Sequence, residues 1–198
     1  MFAKTGGGSD QDEVLCIKAT NTGGFIIGGQ THQQNGVNLK GFLINTDGSG
    51  NVLWSKTYDT PANELFYSVY ALSDGGFAAI GISSVTSGVN EKMIVVKVNA
   101  SGAFVWSKSY QDAVTYGFDI YETPNHRLLL AGTTKHTTAY SGLLINADST
   151  GTILWRKEYT PSGSTFATRF NTLRPTSDGG FILEVLISRV QEVVNVMC

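Results

Sequence analysis

Charge is scarce in this chain of 198 residues, where Asp, Glu, Lys and Arg together make up 15%, against roughly 25% in ordinary soluble domains. With a net charge of -2 and no basic tract, it lacks the whole-chain electrostatic footprint that nucleic acid or an anionic lipid surface would require. Cysteine is scarcer still. Cys16 and Cys198 are the only two, which excludes a disulfide framework. Neither has metal-ligand spacing, and both read as free thiols. No apolar run approaches the roughly 18 residues of a membrane span, so membrane insertion is not expected. Helical periodicity is absent throughout. Residues Met1 to Lys4 lack the charged, apolar and small-residue regions of a secretory signal. Few cysteines suit either compartment, so location is not legible from the residues.

What is present is 41% hydrophobic and 11% aromatic residues, which excludes an intrinsically disordered chain. Glycine is also abundant, at 23 residues, which implies many tight turns. The length fits one domain, 1–198. A repeat organises it. Trp54-Ser-Lys-Thr-Tyr58, Trp106-Ser-Lys-Ser-Tyr110 and Trp155-Arg-Lys-Glu-Tyr159 recur at steps of 52 and 49 residues, and Phe2-Ala-Lys-Thr5 fits the same register. A second marker, Phe25, Phe77, Leu128 and Phe181, follows a turn and steps by 52, 51 and 53. Missing such a period would misread the fold.

Each period holds four short strand signals bounded by Gly, Asn, Asp and Ser. In the second they are Leu65 to Ala71, Phe77 to Ser83, Met93 to Val98 and Ala103 to Tyr110. Serial hairpins at about 50 residues per four strands match the blades of a β-propeller. The expected fold is therefore all-β: about four four-stranded antiparallel blades, as a closed ring or as part of a larger propeller. The blades fall near 6–58, 59–110, 111–159 and 160–198, the last completed by 1–5. Strict alternation in the fourth strand would place Val52, Trp54, Lys56 and Tyr58 on one face. The recurring Trp suits packing between blades, and Lys4, Lys56, Lys108 and Lys157 suit an outer edge protected from pairing.

The pattern D-G-G-[FY] before an apolar strand, then N-x-[DS]-x-G-x-[VIF]-x-W-x-K-x-Y, resembles a repeat of secreted bacterial and archaeal β-propeller proteins. These are loosely related to the quinoprotein-like propellers. The likeness runs from about residue 2 to 183. It implies an extracellular or cell-surface recognition module and supplies no catalytic residues. The fourth repeat departs from it: Gly29, Gly81 and Gly132 correspond to Val185, preceded by Glu184. Val193-Val194-Asn195 still echoes Leu43-Ile44-Asn45, so the tail reads as a third strand. Its fourth strand is missing, and Phe2 to Thr5 would supply it in a closed ring. Open blade edges would otherwise favour a homodimer or a larger ring.

In a propeller of this strand order the first strand of each blade lines the central channel. Seven and nine residues before the markers stand Lys18, Ser68, Tyr70, Asp119, Tyr121 and Arg174, with Cys16 and Thr172. Their hydrogen-bonding groups and tyrosine rings are the candidate binding set for a glycan, peptide or protein. The bland alternative is that they fill a narrow channel, with Cys16 an inert packed thiol. Asp119 is the one weak catalytic candidate. Glycoside hydrolysis needs a second carboxylate, and only Glu64 and Asp112 lie near comparable blade entrances. The loop Asn45 to Asn51 resembles the opening of a calcium loop but has Lys56 at position twelve, and reads as a hairpin turn. His32, His126 and His136 have no metal spacing and read as surface loop residues. No cofactor motif is present. The expected function is non-enzymatic recognition at the channel mouth; a carbohydrate-active enzyme or a structural spacer in a larger surface protein are the alternatives.

Overall fold

A computed structural model of the chain describes residues 11–32, 39–58, 63–84, 90–110, 114–136, 139–160, 167–187 and 190–196. They form fifteen strands in four sheets, all antiparallel. The first sheet holds β1 (Gln11–Ala19), β2 (Phe25–His32), β3 (Leu39–Thr46) and β4 (Val52–Tyr58). The second holds β5 (Asn63–Ala71), β6 (Phe77–Ser84), β7 (Lys92–Val98) and β8 (Phe104–Tyr110). The third holds β9 (Val114–Glu122), β10 (Leu128–His136), β11 (Ala139–Ala147) and β12 (Ile153–Tyr159). The fourth holds β13 (Thr168–Pro175), β14 (Phe181–Ile187) and β15 (Val190–Val196). Within each sheet the strands lie side by side in chain order. The tail is a third strand as expected, with Asn195 opposite Ile182 just as Asn45 lies opposite Ile26. The N-terminal segment expected to complete the fourth sheet lies outside the described residues, as do Asp112 and Cys198.

The turns explain the glycine content. Between first and second strands, Gly23, Gly75 and Gly179 adopt φ of 83°, 83° and 84°, and His126 takes the same place at 59°. A side chain there is strained, and His126 is accompanied by Ser73 and Glu122 around its ring nitrogen Nδ1. The outer turns are closed by a side chain acting as a backbone acceptor: Asp47 Oδ1 receives the amides of Ser49 and Asn51, and Asp148 Oδ1 those of Thr150 and Thr152. The calcium-like loop is therefore a hairpin whose carboxylate serves its own turn.

Three apolar clusters lie between consecutive sheets. One joins Ile26, Leu43 and Phe66 to Val69 and Val96; the next joins Ile80, Met93 and Val95 to Leu130 and Leu143; the third joins Leu129 and Leu144 to Phe170 and Leu183. The recurring W-x-K-x-Y strand latches the first sheet to the second and the second to the third. Trp54 donates its indole N–H to Ala100 carbonyl at 2.8 Å, while Tyr58 donates to Gly102 and Tyr110 to Gly151. Gly102 adopts φ of 77°, and a Cβ there would also lie 2.8 Å from the Trp54 ring. The strict alternation expected for these strands does not hold. Leu53, Val105 and Leu154 are bulged out of register, so Val52 and Trp54 are not successive members of one regular face.

The first sheet differs from the rest in one respect. Phe66, Phe170, Val69, Ile120 and Leu173 on the first strands of later sheets are buried against the preceding sheet. Their equivalents Val14 and Ile17 are 59% and 57% exposed. Among the described residues, no sheet covers the leading face of the first.

Candidate functional site

The four first strands β1, β5, β9 and β13 converge on Asp119. Its Oδ1 receives the Ser68 hydroxyl at 2.6 Å and the Ile120 amide at 3.1 Å, with Lys18 Nζ at 3.9 Å. Its Oδ2 receives the Leu173 amide at 3.0 Å and Arg174 Nη1 at 2.7 Å. One buried carboxylate thus ties together all four sheets. Tyr70 and Tyr121 meet edge to face at 5.3 Å, and Tyr121 meets Phe181 in the same manner at 5.5 Å.

Of the six residues singled out from the sequence, Lys18, Ser68 and Arg174 are gathered on Asp119, where they satisfy its carboxylate, while Tyr70 and Tyr121 pack ring to ring. Asp119 is surrounded by donors, so a substrate would have to displace one to reach it. Such saturation suits a structural tie better than acid or base work. Lys18 and Arg174 remain partly exposed at the outer side of this layer. Thr172 contacts Glu184, and Cys16 donates weakly to the Gly28 carbonyl. Burial pushes the Cys16 thiol up to about 11, with that hydrogen bond and Lys18 opposing. Glu64 is buried at the start of β5 and lines a separate cavity of about 580 Å³ with Lys56 and Tyr58. His32 and His136 end their strands rather than sitting in loops after them, and His136 Nε2 lies 2.9 Å from Glu158.

A second constellation lies toward the N-terminal ends of the same strands. Every first strand carries a bulge at the same point, displacing Leu15, Tyr67, Phe118 and Asn171 from register. Bulges re-aim side chains. Here Tyr67 and Phe118, with Tyr116, Tyr140, Thr133 and Arg169, line a cavity of about 300 Å³ between the second, third and fourth sheets. That is the small end of the roughly 300–1,000 Å³ typical of small-molecule sites. Tyr67 and Phe118 rings are 5.1 Å apart, and Tyr116 lies parallel to Phe118 at 6.2 Å. The Arg169 guanidinium stacks 3.6 Å from the Phe118 centroid, and Lys135 lies 5.2 Å from that of Tyr140. Tyr116 donates a short hydrogen bond to Glu91.

The electrostatics follow from this crowding. Burial raises the Tyr67 hydroxyl, with Arg169 opposing and Glu91 and Glu13 adding to the rise. Burial likewise draws the Arg169 guanidinium below its ordinary value. Arg169 Nε is buried without a hydrogen-bond partner, and among the described residues Arg169 makes no ion pair.

Alignment to strict alternation missed this cavity, because a bulge reverses which face a residue joins. The signal was available in Gly29, Gly81 and Gly132. A Cβ at Gly81 would fall 1.8 Å from the Leu65 carbonyl oxygen, and one at Gly132 2.0 Å from that of Tyr116. These glycines mark where the bulged partner strand comes too close for a side chain. Among the described residues no group of three or more His, Cys, Asp or Glu is placed to hold a metal, and no helix is long and apolar enough to cross a membrane.

No protein-family model and no curated protein matches the sequence. Solved structures do match. A protein of unknown function from Bacteroides caccae is 13% identical with a TM-score of 0.52, over 94% of this chain and 61% of its own. A hypothetical protein from Leishmania major is 14% identical with a TM-score of 0.54, over 91% and 65%. A mannose phosphorylase from Leishmania mexicana, solved with a phosphate ion, is 13% identical with a TM-score of 0.51, over 91% and 65%. At such identity the likeness concerns the fold alone. The chain spans less than two thirds of the length of these neighbours.

Proposed function

We propose that the chain is a β-propeller, or an arc of one, of the secreted bacterial and archaeal repeat type, and that it acts as a non-enzymatic recognition module. Support for the propeller reading comes from four meander sheets stacked in chain order with their first strands gathered on Asp119. Support for recognition comes from a single observation, the cavity walled by Tyr67, Tyr116, Phe118 and Tyr140 beside Arg169. Flat rings with hydroxyl tips bind the apolar face of a sugar and hydrogen-bond its rim, so a glycan is the ligand class favoured over a peptide or protein. The mouth in question is the N-terminal end of the first strands. The Asp119 layer serves as the tie that holds that mouth in shape. An extracellular or cell-surface setting follows from the sequence resemblance.

The experiment is a calorimetric screen of neutral and acidic oligosaccharides against the chain and against Tyr116→Ala and Tyr140→Ala. Binding that each substitution weakens at least about tenfold, with unchanged thermal unfolding, is the expected result. Ligands that bind equally well to both variants would place recognition elsewhere. Hydrolysis of a bound oligosaccharide, abolished by Asp119→Asn in a chain that circular dichroism shows still folded, would restore the enzymatic alternative.

A further inference from the structure

Arg169 is the least satisfied charge of the cavity. Its guanidinium is stacked on Phe118, its Nε is buried and unbonded, and no carboxylate among the described residues pairs with it. A half-desolvated guanidinium of this kind favours a planar anion able to take two parallel N–H bonds. The ring stack holds the fork in one orientation, so little freedom is lost when an anion docks.

Among the described residues, the charges around the cavity favour an anion of one negative charge. Arg169 and Lys135 are its cations. Glu91 accepts from the Tyr116 hydroxyl, and Glu13, held by Gln30, acts through space on the Tyr67 hydroxyl. Among the described residues, two cations and two carboxylates therefore stand in or around the cavity, Arg169 alone of them in its lining. A single carboxylate meets a nearly neutral environment and a guanidinium that no described carboxylate pairs, whereas a doubly charged phosphate would be repelled by Glu91 and Glu13. The remaining walls are tyrosine rings and Thr133, whose hydroxyl lies 2.8 Å from both the Ser141 and Thr168 carbonyls and is already engaged. Among the described lining residues the one charged group is therefore the arginine.

We infer that the cavity takes a uronic acid residue, a pyranose whose ring face meets the tyrosine walls and whose carboxylate is held by Arg169. This rests on the recognition reading above and specifies its ligand. It also assigns different tasks to the two cations: Arg169 contacts the carboxylate, while Lys135 sits over the Tyr140 ring and contributes only long-range attraction.

The test pairs oligosaccharides of galacturonate, glucuronate and mannuronate with their methyl esters, which keep every ring atom and remove the charge. Titration calorimetry is run on the chain, on Arg169→Gln and on Arg169→Lys, with near-ultraviolet circular dichroism as the folding check. The acid form of at least one pair is expected to bind ten times or more tighter than its ester, and to weaken as salt rises. Arg169→Gln should erase that ratio, and Arg169→Lys should recover part of the charge preference without the fork. Equal binding of acid and ester, or a ratio that survives Arg169→Gln, overturns the inference while leaving glycan recognition standing. Neutral sugars that bind in a Tyr116-dependent manner when no uronate does would also overturn it alone. Failure of every sugar, acidic and neutral, overturns both.

Discussion

Replacing Ile17 by Ala is expected to cost far less stability than replacing Ile120, although the two occupy the same position in the first and third repeats. Ile120 is 2% exposed and packs in the core between the second and third sheets, whereas Ile17 is 57% exposed on the uncovered face of the first. Truncation to Ala removes three carbons, which at about 0.8 kcal/mol each makes about 2.4 kcal/mol of lost burial at Ile120. A cavity that relaxes only partly adds to this, bringing the expected loss to about 3–4 kcal/mol. At Ile17 less than half of that surface is out of water and no cavity forms, so the loss should be about 1 kcal/mol. Urea unfolding followed by circular dichroism, at two protein concentrations tenfold apart, measures both. A loss at Ile17 as large as that at Ile120 would refute the open face. If the larger loss depended on concentration, a second copy would be covering the face; if it did not, the ring would close within the chain.

Asp119→Asn should destabilise the fold by about 2–4 kcal/mol, because its amide turns a donor toward the Arg174 and Leu173 donors in a buried site; a change within 0.5 kcal/mol in urea unfolding would dismiss the tie between sheets. Cys16, with its thiol held up to about 11, should react with an aromatic disulfide reagent at pH 8 at least tenfold more slowly in the folded chain than in urea. Folding keeps the Cys16 proton that the unfolded chain releases near pH 9, so stability is complete below that pH and falls as pH rises toward 11. Burial raises the Tyr58 and Tyr110 hydroxyls too, which steepens the loss above pH 10. A melting temperature that holds or rises from pH 8 to 11 would contradict this.

Strand content, the four-strand period and the third strand of the divergent tail were all legible in the sequence. They depend on local rules: glycine or a strained His126 at a left-handed turn position, Asp47 or Asp148 closing an outer hairpin, apolar runs of strand length. The repeated Trp and Tyr announced packing between sheets, and the structure supplies the partners in the Ala100, Gly102 and Gly151 carbonyls. Alignment of the repeats was likewise enough to bring Lys18, Ser68, Tyr70, Asp119, Tyr121 and Arg174 to one layer. It could not say that Lys18, Ser68 and Arg174 would spend their charges and hydrogen bonds on Asp119, since that depends on distances across four sheets.

Only the tertiary structure decided the cavity and the open face. Counting in twos along a strand assumes a regular pleat, and one bulge per first strand was enough to move Tyr67 and Phe118 to where Tyr116, Tyr140 and Arg169 meet them. Val14 and Ile17 look in sequence like any other core positions of the repeat. Their exposure depends on whether another sheet lies against them, which is a property of the assembled sheets rather than of any repeat read alone.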